Sequence, residues 1–334
     1  MEDERITKNG NVFATNFCEL GVSVKFVNGI DSPLGDTYLF NMDFISQYNK
    51  TYLKSLVEKI AVFHHLDLEL IDTKEAHFGL FMRKPQQVLS LNNCLYEVGQ
   101  RDVVIGKDNY GKSVILDFDK IPHLLIGGTT GSGKSVLLHN LLVNLMSYFR
   151  TTNEANRFRH GLKLVIIDPK GTELNMYRNV KNTTFIDNTP QAIEGIKAIE
   201  RAMDLCYQTG GKYDNETFVI IDELADLMLT SKFEVEQSLV RIAQLGRAVG
   251  VHLIVATQRP SVDVVSGLIK ANMPYRIALR TASVRDSVIL IDKKGCEALA
   301  VGEALFKNGI ETTKVKIAYP EKELEAKFID VNRG

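Results

Sequence analysis

The sequence predicts an α/β protein with a mostly parallel sheet flanked by helices, preceded by a small α+β domain. Apolar strand-like runs alternate with helical patterns from about residue 120 onwards, which is typical of a parallel sheet covered on both faces. A glycine-rich loop directly follows one of these runs and opens a helix. Shorter β-like runs around one helical stripe come earlier. We therefore expect a small domain at 1–100, a large domain at 101–319 and a short tail at 320–334.

Composition and charge limit which classes of protein the chain can belong to. The chain has 334 residues and 45% hydrophobic content, which is enough to form hydrophobic cores. The formal net charge of −1 and the pI of 6.7 do not indicate a protein with a basic surface all round, so any surface that binds nucleic acid must be local. The four cysteines lie far apart with no C-x-x-C pair, which is typical of reduced cytoplasmic thiols rather than disulfides or a zinc site.

No apolar run approaches the ~18 residues that a membrane span needs. We therefore expect a cytoplasmic protein with no membrane span in this chain. A fragment cut free of an upstream anchor would look the same, so association with a membrane through a partner or a missing segment stays open.

Periodicity predicts the elements of the small domain. The polar stretch 1–20 predicts a loose end or a first edge element. Apolar positions within 51–65 fall on one helical stripe. Strands are expected at 22–27, 37–40, 66–71, 78–82 and 88–91. No residue set here indicates chemistry, and we expect the domain to pack on its neighbour or on another subunit.

The large domain opens with a hairpin at 103–116, whose turn contains Gly111, a residue able to take a positive φ. Strands are then expected at 123–126, 162–167, 218–221, 251–257, 275–280, 304–307 and 314–319. Helices are expected after the glycine-rich loop and at 189–206, 235–249 and 262–272, with a polar connection at 150–160 and a charged tail of helical character at 321–332.

The glycine-rich loop spells the phosphate-binding motif G-x-x-x-x-G-K-[ST] without a deviation, in the strand–loop–helix context that the motif requires. Its glycines allow a tight turn that points backbone N–H groups inward at the positive end of a helix. We expect Lys134 to reach the β- and γ-phosphates of ATP and the Ser135 hydroxyl to ligate Mg²⁺. The residues expected to bind the nucleotide are Gly128, Thr129, Thr130, Gly131, Ser132, Gly133, Lys134 and Ser135.

Polar residues end two of the later strands. Asp222 and Glu223 follow an apolar strand, and we expect Asp222 to hold Mg²⁺ and Glu223 to act as the general base for the attacking water. This pair alone is a weak signal, but it is strong after a complete phosphate loop. Gln258 ends the next strand and can sense the γ-phosphate, although a plain polar cap on a strand end stays open for it.

Positive charge is concentrated in one segment. Between 241 and 285 there are seven cationic residues and one acidic residue, a net charge of 7 − 1 = +6. The cations are Arg241, Arg247, Arg259, Lys270, Arg276, Arg280 and Arg285, and the acid is Asp263. Such a segment is often a solvated face. Around a closed ring of subunits, however, it would line a channel that contacts DNA phosphates without reading sequence.

Four segments closely resemble the motor domain of FtsK/SpoIIIE-type DNA translocases. They are PHLLIGGTTGSGKS at 122–135, IDPK at 167–170, VIIDELADLM at 219–228 and, above all, ATQRPSVDVVSGLIKANMP at 256–274. The resemblance covers about residues 100 to 310. The small domain before it stands where that family has a short α/β domain ahead of a RecA-like motor.

The resemblance implies a hexameric ring that pumps double-stranded DNA through its pore with ATP as the energy source. Lys134 and Ser135 match the family's phosphate loop, Asp222 and Glu223 its Walker B pair, and Gln258 its sensor. Further matches are Arg247, in the place of an arginine inserted into the next subunit's site, and Arg259, Lys270 and Arg285, in the place of basic residues that face DNA.

Three departures from the family bear on the biological setting. The usual N-terminal membrane spans and the C-terminal winged-helix module are not found here, and Val288 stands where chromosome-segregating members tend to carry a basic residue. We expect a stripped-down relative from a conjugative plasmid, integrative element or phage, working with membrane-anchored or transfer-machinery partners. Single-stranded DNA as substrate and the resting oligomeric state stay open.

Two other functions are compatible with a phosphate loop. One is a related ring ATPase that moves protein, as in type VII secretion, for which DNA would leave the ATPase rate unchanged. The other is a non-motor switch or kinase, which the lack of an Asn-Lys-x-Asp guanine motif and of an ABC signature disfavours.

Overall fold

The structure, a computed structural model, describes residues 2–32, 35–43, 49–73, 75–83, 88–98, 103–152, 161–210 and 215–331. The chain divides into two compact units. The small unit is Met1–Leu89 with Lys107–Lys112, and the large unit is Ser90–Gly106 with Ser113–Gly334. The small unit therefore ends before residue 100 and takes in the turn of the predicted hairpin.

The small unit is an antiparallel sheet with helices packed on it. Its elements are α1 (Glu2–Glu19), β1 (Val24–Asp31), β2 (Gly35–Met42), α2 (Lys50–His64), β3 (Leu68–Ile71) and β4 (Phe78–Arg83). The strand order is β1-β2-β4-β3. Helix α2 forms where its apolar stripe predicts, because Asn49 caps its first turn and Leu53 and Leu56 are buried on its inner face.

The prediction of a loose end or edge element at residues 1–20 was wrong, because this stretch forms α1. Ile6, Phe13 and Phe17 recur at helical spacing and are buried in the core of the small unit. The polar residues between them and a mid-helix glycine weaken the sequence signal. That glycine has a packing reason, since a Cβ on Gly10 would lie 2.3 Å from the Phe26 ring.

The large unit alternates strands and helices along the chain. It contains α3 (Leu91–Val98), β5 (Val103–Asp108), β6 (Ser113–Leu116), β7 (His123–Gly127), α4 (Lys134–Thr152), β8 (Gly161–Ile167), β9 (Thr183–Ile186), α5 (Thr189–Thr209), β10 (Asn215–Ile221), α6 (Leu224–Leu245), β11 (Val251–Thr257), α7 (Gly267–Asn272), β12 (Tyr275–Leu279), α8 (Val284–Ile291), β13 (Glu303–Asn308), β14 (Glu311–Ile317) and α9 (Lys322–Val331).

One large sheet organises these elements and confirms the predicted fold class. Across the described residues its ten strands run in the order β6-β5-β14-β13-β12-β7-β11-β10-β8-β9. The pairs from β12 to β9 are parallel, whereas β13 pairs antiparallel with both β12 and β14. Every residue of β7 and β11 is buried, as expected for central strands with both faces covered.

Several local predictions from residue 88 onwards need correction. The strand expected at 88–91 is only an isolated bridge at Ser90, and α3 begins at Leu91, whose N–H donates to the Tyr319 carbonyl. The helix expected at 235–249 begins earlier, at Leu224, and ends at Leu245 in a 3₁₀ turn over Gly246–Val249. The helix expected at 262–272 is confined to α7.

Other predictions for this part of the chain are confirmed. The hairpin of β5 and β6 is present, with Gly111 at φ 75° in its turn. The tail forms α9. Of the connection predicted at 150–160, residues 150–152 belong to α4 and the rest lie outside the described residues. In the described part of the chain, none of the helices is both long and apolar enough to span a bilayer.

Candidate nucleotide site

The phosphate loop begins where β7 ends, and both neighbouring strands hold it in place. The Gly128 N–H donates to the Thr257 carbonyl at the end of β11 (3.2 Å), and the Thr129 N–H donates to the Arg280 carbonyl just past β12 (2.9 Å). Strand β7 lies between β12 and β11, whereas the next strand in the chain, β8, lies beyond β11 and β10. Such reversals of strand order leave a crevice at the carboxyl ends of the strands, which is where open α/β sheets bind ligands.

Three glycines give the loop its shape. Gly131 and Gly133 have φ angles of 74° and 104°, in the region that side chains with a Cβ rarely adopt. A Cβ on Gly128 would lie 2.7 Å from Ser132 Oγ and 2.9 Å from Leu279 Cβ. The tight turn predicted from the motif is therefore present, and it leads directly into α4 at Lys134.

Lys134 is buried and pairs with the end of β10. Its ammonium donates to the Asp222 carbonyl oxygen (2.7 Å) and forms an ion pair with the Asp222 carboxylate. Burial raises the pKa of Asp222; Lys134 opposes this effect, and the nearby Asp168 and Glu173 add to it. The loop lysine and the predicted metal ligand are thus within reach of the same phosphate position.

Glu223 is held by the end of β11. Its Oε1 accepts from Thr257 Oγ1 (2.7 Å) and from the Ala225 N–H (3.2 Å), and its Oε2 accepts from the Gln258 N–H (3.0 Å). The side chain of Gln258 points towards the phosphate loop, where its Oε1 accepts from Thr130 Oγ1 (2.7 Å). Loop, acidic pair and sensor candidate therefore meet at one sheet edge, as the sequence predicts.

The residues present fit a nucleotide with its Mg²⁺. Ser132 Oγ is buried and has no hydrogen-bond partner among the described residues, so an incoming phosphate oxygen could satisfy it. The Lys134 ammonium offers a positive charge, and the cradle has no room for a Cβ at Gly128. Ser135 and Asp222 supply the oxygen ligands that Mg²⁺ prefers. The donor set therefore matches a triphosphate.

Arg247 does not belong to this cluster. It is exposed and lies in the 3₁₀ turn before β11, whereas Gln258 follows the other end of that strand. Seven residues of strand span about 20 Å, so this arginine and the phosphate loop of the same chain lie at opposite edges of the sheet.

The three predicted DNA contacts are not grouped together either. Arg259 and Arg285 are exposed and follow the carboxyl ends of β11 and β12, on the edge that carries the phosphate loop. Lys270 lies in α7, before β12 begins, and its ammonium is 2.9 Å from Asp292 Oδ1. Asp292 also binds Arg276 (2.7 Å) and Lys307 (2.6 Å).

Sequence reasoning missed three residues of this region. Thr257 was assigned only to a strand, although its hydroxyl binds Glu223. Asp168 is fully buried and accepts from the N–H groups of Gly171, Glu173 and Leu174, so it shapes the loop after β8. Asp292 gave no signal, because its three cationic partners come from distant parts of the sequence. The IDPK segment was the one available sign for Asp168.

The large unit has a mostly parallel sheet with this strand order, a phosphate loop after a central strand and acidic residues after the strand two places away. These features are typical of the RecA-like P-loop ATPases, and the large unit is one of them. A model described as the FtsK/SpoIIIE family matches residues 87–210 and 211–262, more than half of the chain. The chain belongs to the FtsK/SpoIIIE family.

Individual relatives agree with this assignment. A protein named DNA translocase FtsK from Helicobacter pylori strain J99 is 40% identical over 226 residues, covering 61% of this chain and 26% of the relative. The chain thus spans about a quarter of that relative's length.

Two solved structures share the fold. The pCW3 conjugation coupling protein TcpA, a monomer form with ATPγS, is 22% identical with a TM-score of 0.65, covering 97% of this chain and 99% of that one. The cytoplasmic domain of the type VII secretion ATPase EccC from Thermomonospora curvata is 22% identical with a TM-score of 0.63. The match covers 75% of this chain and 35% of that one.

Proposed function

We propose that this chain is an ATP-driven translocase of double-stranded DNA that acts as a hexameric ring. The observation that carries the proposal is a phosphate loop that meets two acidic residues in a chain of the FtsK/SpoIIIE family, at a sheet edge that also carries the exposed Arg259 and Arg285. Relatives at about 40% identity that are named DNA translocases support the same substrate.

The residues of the site have distinct roles in this proposal. The phosphate loop from Gly128 to Ser135 binds the triphosphate, and Lys134 exchanges its bond to Asp222 for the phosphate oxygens. Glu223 takes a proton from the attacking water as general base. Gln258, which binds the loop through Thr130, reports whether the γ-phosphate is present. Mg²⁺, when held by Ser135 and Asp222, supplies charge neutralisation for the phosphoryl oxygens.

Arg247 completes the site from a neighbouring subunit. Its position at the opposite sheet edge from its own phosphate loop supports action in trans. An arginine supplied in this way neutralises transition-state charge and is worth about 10³–10⁵ in rate. A closed ring gives each site such a neighbour, and a hexamer is the ring that we propose.

DNA is bound through its phosphates. Arg259 and Arg285 are exposed, so they can contact the backbone without reading bases. Lys270 is a third contact in this proposal, although it must first share or leave its ion pair with Asp292. Double-stranded DNA is the proposed substrate, with single-stranded DNA as the comparison in each assay.

The proposed setting is DNA transfer by a conjugative or other mobile element. This setting is supported by the fold that the chain shares, over 97% of its length, with a conjugation coupling protein. Deletion of the gene from a donor cell should then lower transfer frequency by orders of magnitude. Normal transfer from the deleted donor would remove this part of the proposal.

The central test measures ATPase turnover with and without duplex DNA. We expect turnover to rise with DNA and the stimulation to fall steeply with salt, because binding to phosphates releases counterions. Arg259→Ala combined with Arg285→Ala should lose the stimulation. Arg201→Ala, which removes an exposed arginine from α5, is the matched control and should keep it.

Turnover that stays flat across DNA titrations would overturn the proposal. If unfolded polypeptide stimulated turnover in its place, the chain would be a ring ATPase that moves protein. Single-stranded DNA as the better activator would change the substrate and leave the motor intact.

A further inference from the structure

The hydroxyl of Thr257 links Glu223, the proposed general base, to the backbone of Arg259, a proposed DNA contact. It donates to Glu223 Oε1 at 2.7 Å and accepts from the Arg259 N–H at 3.1 Å. A hydroxyl has one proton to donate, so this bond to Glu223 uses the full donor capacity of Thr257. The carboxylate and the Arg259 backbone therefore share one side-chain atom.

Both ends of this link lie at the carboxyl ends of paired strands. Strands β10 and β11 pair in parallel as far as Ile221 opposite Val255, and Glu223 and Thr257 each follow two residues later. Thr257 is fully buried and Glu223 is 3% exposed. Neither side chain can exchange its partner for water without a shift of the backbone at the end of β11.

The segment after Thr257 is the part that can transmit such a shift. Arg259 is exposed, and its carbonyl oxygen accepts from the Ser261 N–H at 2.8 Å in a tight turn around Pro260. A phosphate that draws the Arg259 side chain outward would rotate this short turn as a unit. The Arg259 N–H would then move relative to Thr257 Oγ1.

In the present arrangement most of the acceptor positions of Glu223 are taken by protein groups. A carboxylate accepts about four hydrogen bonds, and Glu223 already accepts three, all from protein groups. A general base must itself lie within hydrogen-bond reach of the proton that it removes. The observed state is therefore one in which the carboxylate is turned towards β11.

We propose that Thr257 is a positioning residue that restrains Glu223 when DNA is absent and releases it when DNA draws Arg259 outward. The inference rests on the proposed DNA-dependent ATPase and adds the residue that makes hydrolysis depend on DNA. Gln258 keeps its separate contact with the phosphate loop through Thr130, so sensing of nucleotide and of DNA would use adjacent residues.

The experiment compares Thr257→Val, which is close in shape but has no hydroxyl, with Thr257→Ser, which keeps the hydroxyl. ATPase turnover is measured for both and for the unaltered chain, without DNA and with saturating duplex DNA. For Thr257→Val we expect turnover without DNA to rise about tenfold, the order of a lost hydrogen bond to a charged group, and the stimulation ratio to fall accordingly. Thr257→Ser should keep the original ratio.

Binding of a fluorescent ADP to each variant checks that the phosphate loop is folded. If Thr257→Val does not bind ADP, Thr257→Ala takes its place with the same expectation. An unchanged stimulation ratio would overturn the inference. So would an equal loss of both rates, or a smaller ratio that comes only from a slower DNA-stimulated rate. If the unaltered chain itself showed no stimulation by DNA, the failure would lie with the proposed function.

Discussion

Asp222 and Glu223 are adjacent in the sequence, yet their side chains have different partners. Asp222 is paired with the loop lysine, whereas Glu223 accepts hydrogen bonds from β11 and from its own helix. Two neighbouring carboxylates in different environments can hold different roles. Nucleotide binding and hydrolysis should therefore separate by substitution.

The separation can be measured by nucleotide binding and turnover together. Lys134→Ala should abolish binding of a fluorescent ATP analogue, since it removes the phosphate partner and leaves the buried Asp222 carboxylate without its cation. Glu223→Gln keeps the shape of the side chain and should bind the analogue normally while turnover falls at least about 10²-fold. Equal loss of binding in both variants would contradict this division of roles.

For single residues, the sequence predicts a role where a motif specifies the residue. It predicts nothing where only the folded geometry brings two residues together. Lys134 and Asp222 were found because the motif names them, and their pairing follows from the parallel order of β7, β11 and β10. Thr257 lies in the ATQRP segment, but nothing in that segment indicated its contact with Glu223, and Asp292 lies in no motif. Their partners are up to 34 residues away along the chain, so only the folded structure brings them together.

Among the elements, predictability followed the strength of the hydrophobic period. The buried strand β11 was predicted to the residue, because six of its seven positions are apolar or small and it lies between a Gly-Arg-Ala-Val-Gly segment and a Gln-Arg-Pro segment. The four-residue β9 and the eight-residue α8 were not predicted, since short segments leave too little period to detect. The start of α6 was missed because Glu223, assigned to catalysis, also caps this helix.

Helix α9 is anchored to the large unit by a buried polar cluster. Tyr177 Oη donates to Glu325 Oε1 (2.6 Å), and His139 Nδ1, on α4, lies 2.7 Å from the same oxygen. Burial works to raise the pKa of Glu325, but the hydrogen bonds from His139 and Tyr177 outweigh it, and the pKa lies below its ordinary value. Docking of α9 should therefore depend on the charge of this carboxylate.

Glu325→Ala should cost about 1–3 kcal/mol in the free energy of unfolding, because Tyr177 and His139 lose the buried carboxylate that they share. A carboxyl pKa that is lower in the folded state adds stability above its unfolded value of about 4.3. This contribution is lost as the pH falls through the folded pKa.

Urea denaturation and hydrogen exchange of α9 between pH 7 and pH 3 measure the effect. The unaltered chain should lose α9 protection in the acid range, and Glu325→Ala should start lower and lack that step. Glu323→Ala changes an exposed residue of the same helix and serves as the control. An acid step of equal size in Glu325→Ala would assign it to other carboxylates.

Helix α7 and the end of α8 meet in a cluster of three cations around Asp292. Lys270, Arg276 and Lys307 all donate to this one carboxylate, which is 43% exposed. Burial works to raise the pKa of Asp292, but these three donors hold it well below its usual range. The carboxylate therefore neutralises part of a surface that we propose for DNA.

Asp292→Asn should tighten duplex DNA binding, because Lys270 then offers its full charge to a phosphate. The slope of log affinity against log salt should steepen by about one for each additional DNA phosphate that the variant neutralises. Stability should fall by only about 1 kcal/mol, since the carboxylate is partly solvated. Fluorescence anisotropy at several salt concentrations measures the binding.

The control is the double variant of Asp292→Asn with Lys270→Ala, in which the tighter binding should vanish. An unchanged affinity in Asp292→Asn would mean that Lys270 contributes to the fold and not to DNA binding.

On the scale of the whole molecule, the two ends of β11 carry residues that we propose act in the same reaction. Arg247 precedes the strand, and Gln258, which contacts the phosphate loop, follows it. Because the strand is rigid and about 20 Å long, no local movement can bring Arg247 to its own loop. A second copy must supply it if Arg247 acts in hydrolysis.

Mixing two inactive variants tests this directly. Arg247→Ala subunits keep Glu223, and Glu223→Gln subunits keep Arg247, so an active site forms wherever the first kind receives the arginine of the second. In an equal mixture with random ring assembly, about a quarter of the interfaces have this arrangement. If the sites act independently, steady-state turnover of the mixture with DNA should therefore reach about a quarter of the unaltered rate. Each of the two variants alone should be slower than the unaltered chain by orders of magnitude.

The matched control replaces the Glu223→Gln partner with a chain that carries both substitutions. This chain can join the ring but has no arginine to give, so its mixture with Arg247→Ala should stay inactive. Equal recovery in both mixtures would mean that Arg247 is not the donated group. No recovery at any ratio, in rings shown by light scattering to contain both chains, would place the action of Arg247 within its own subunit and contradict the rigid separation that β11 imposes.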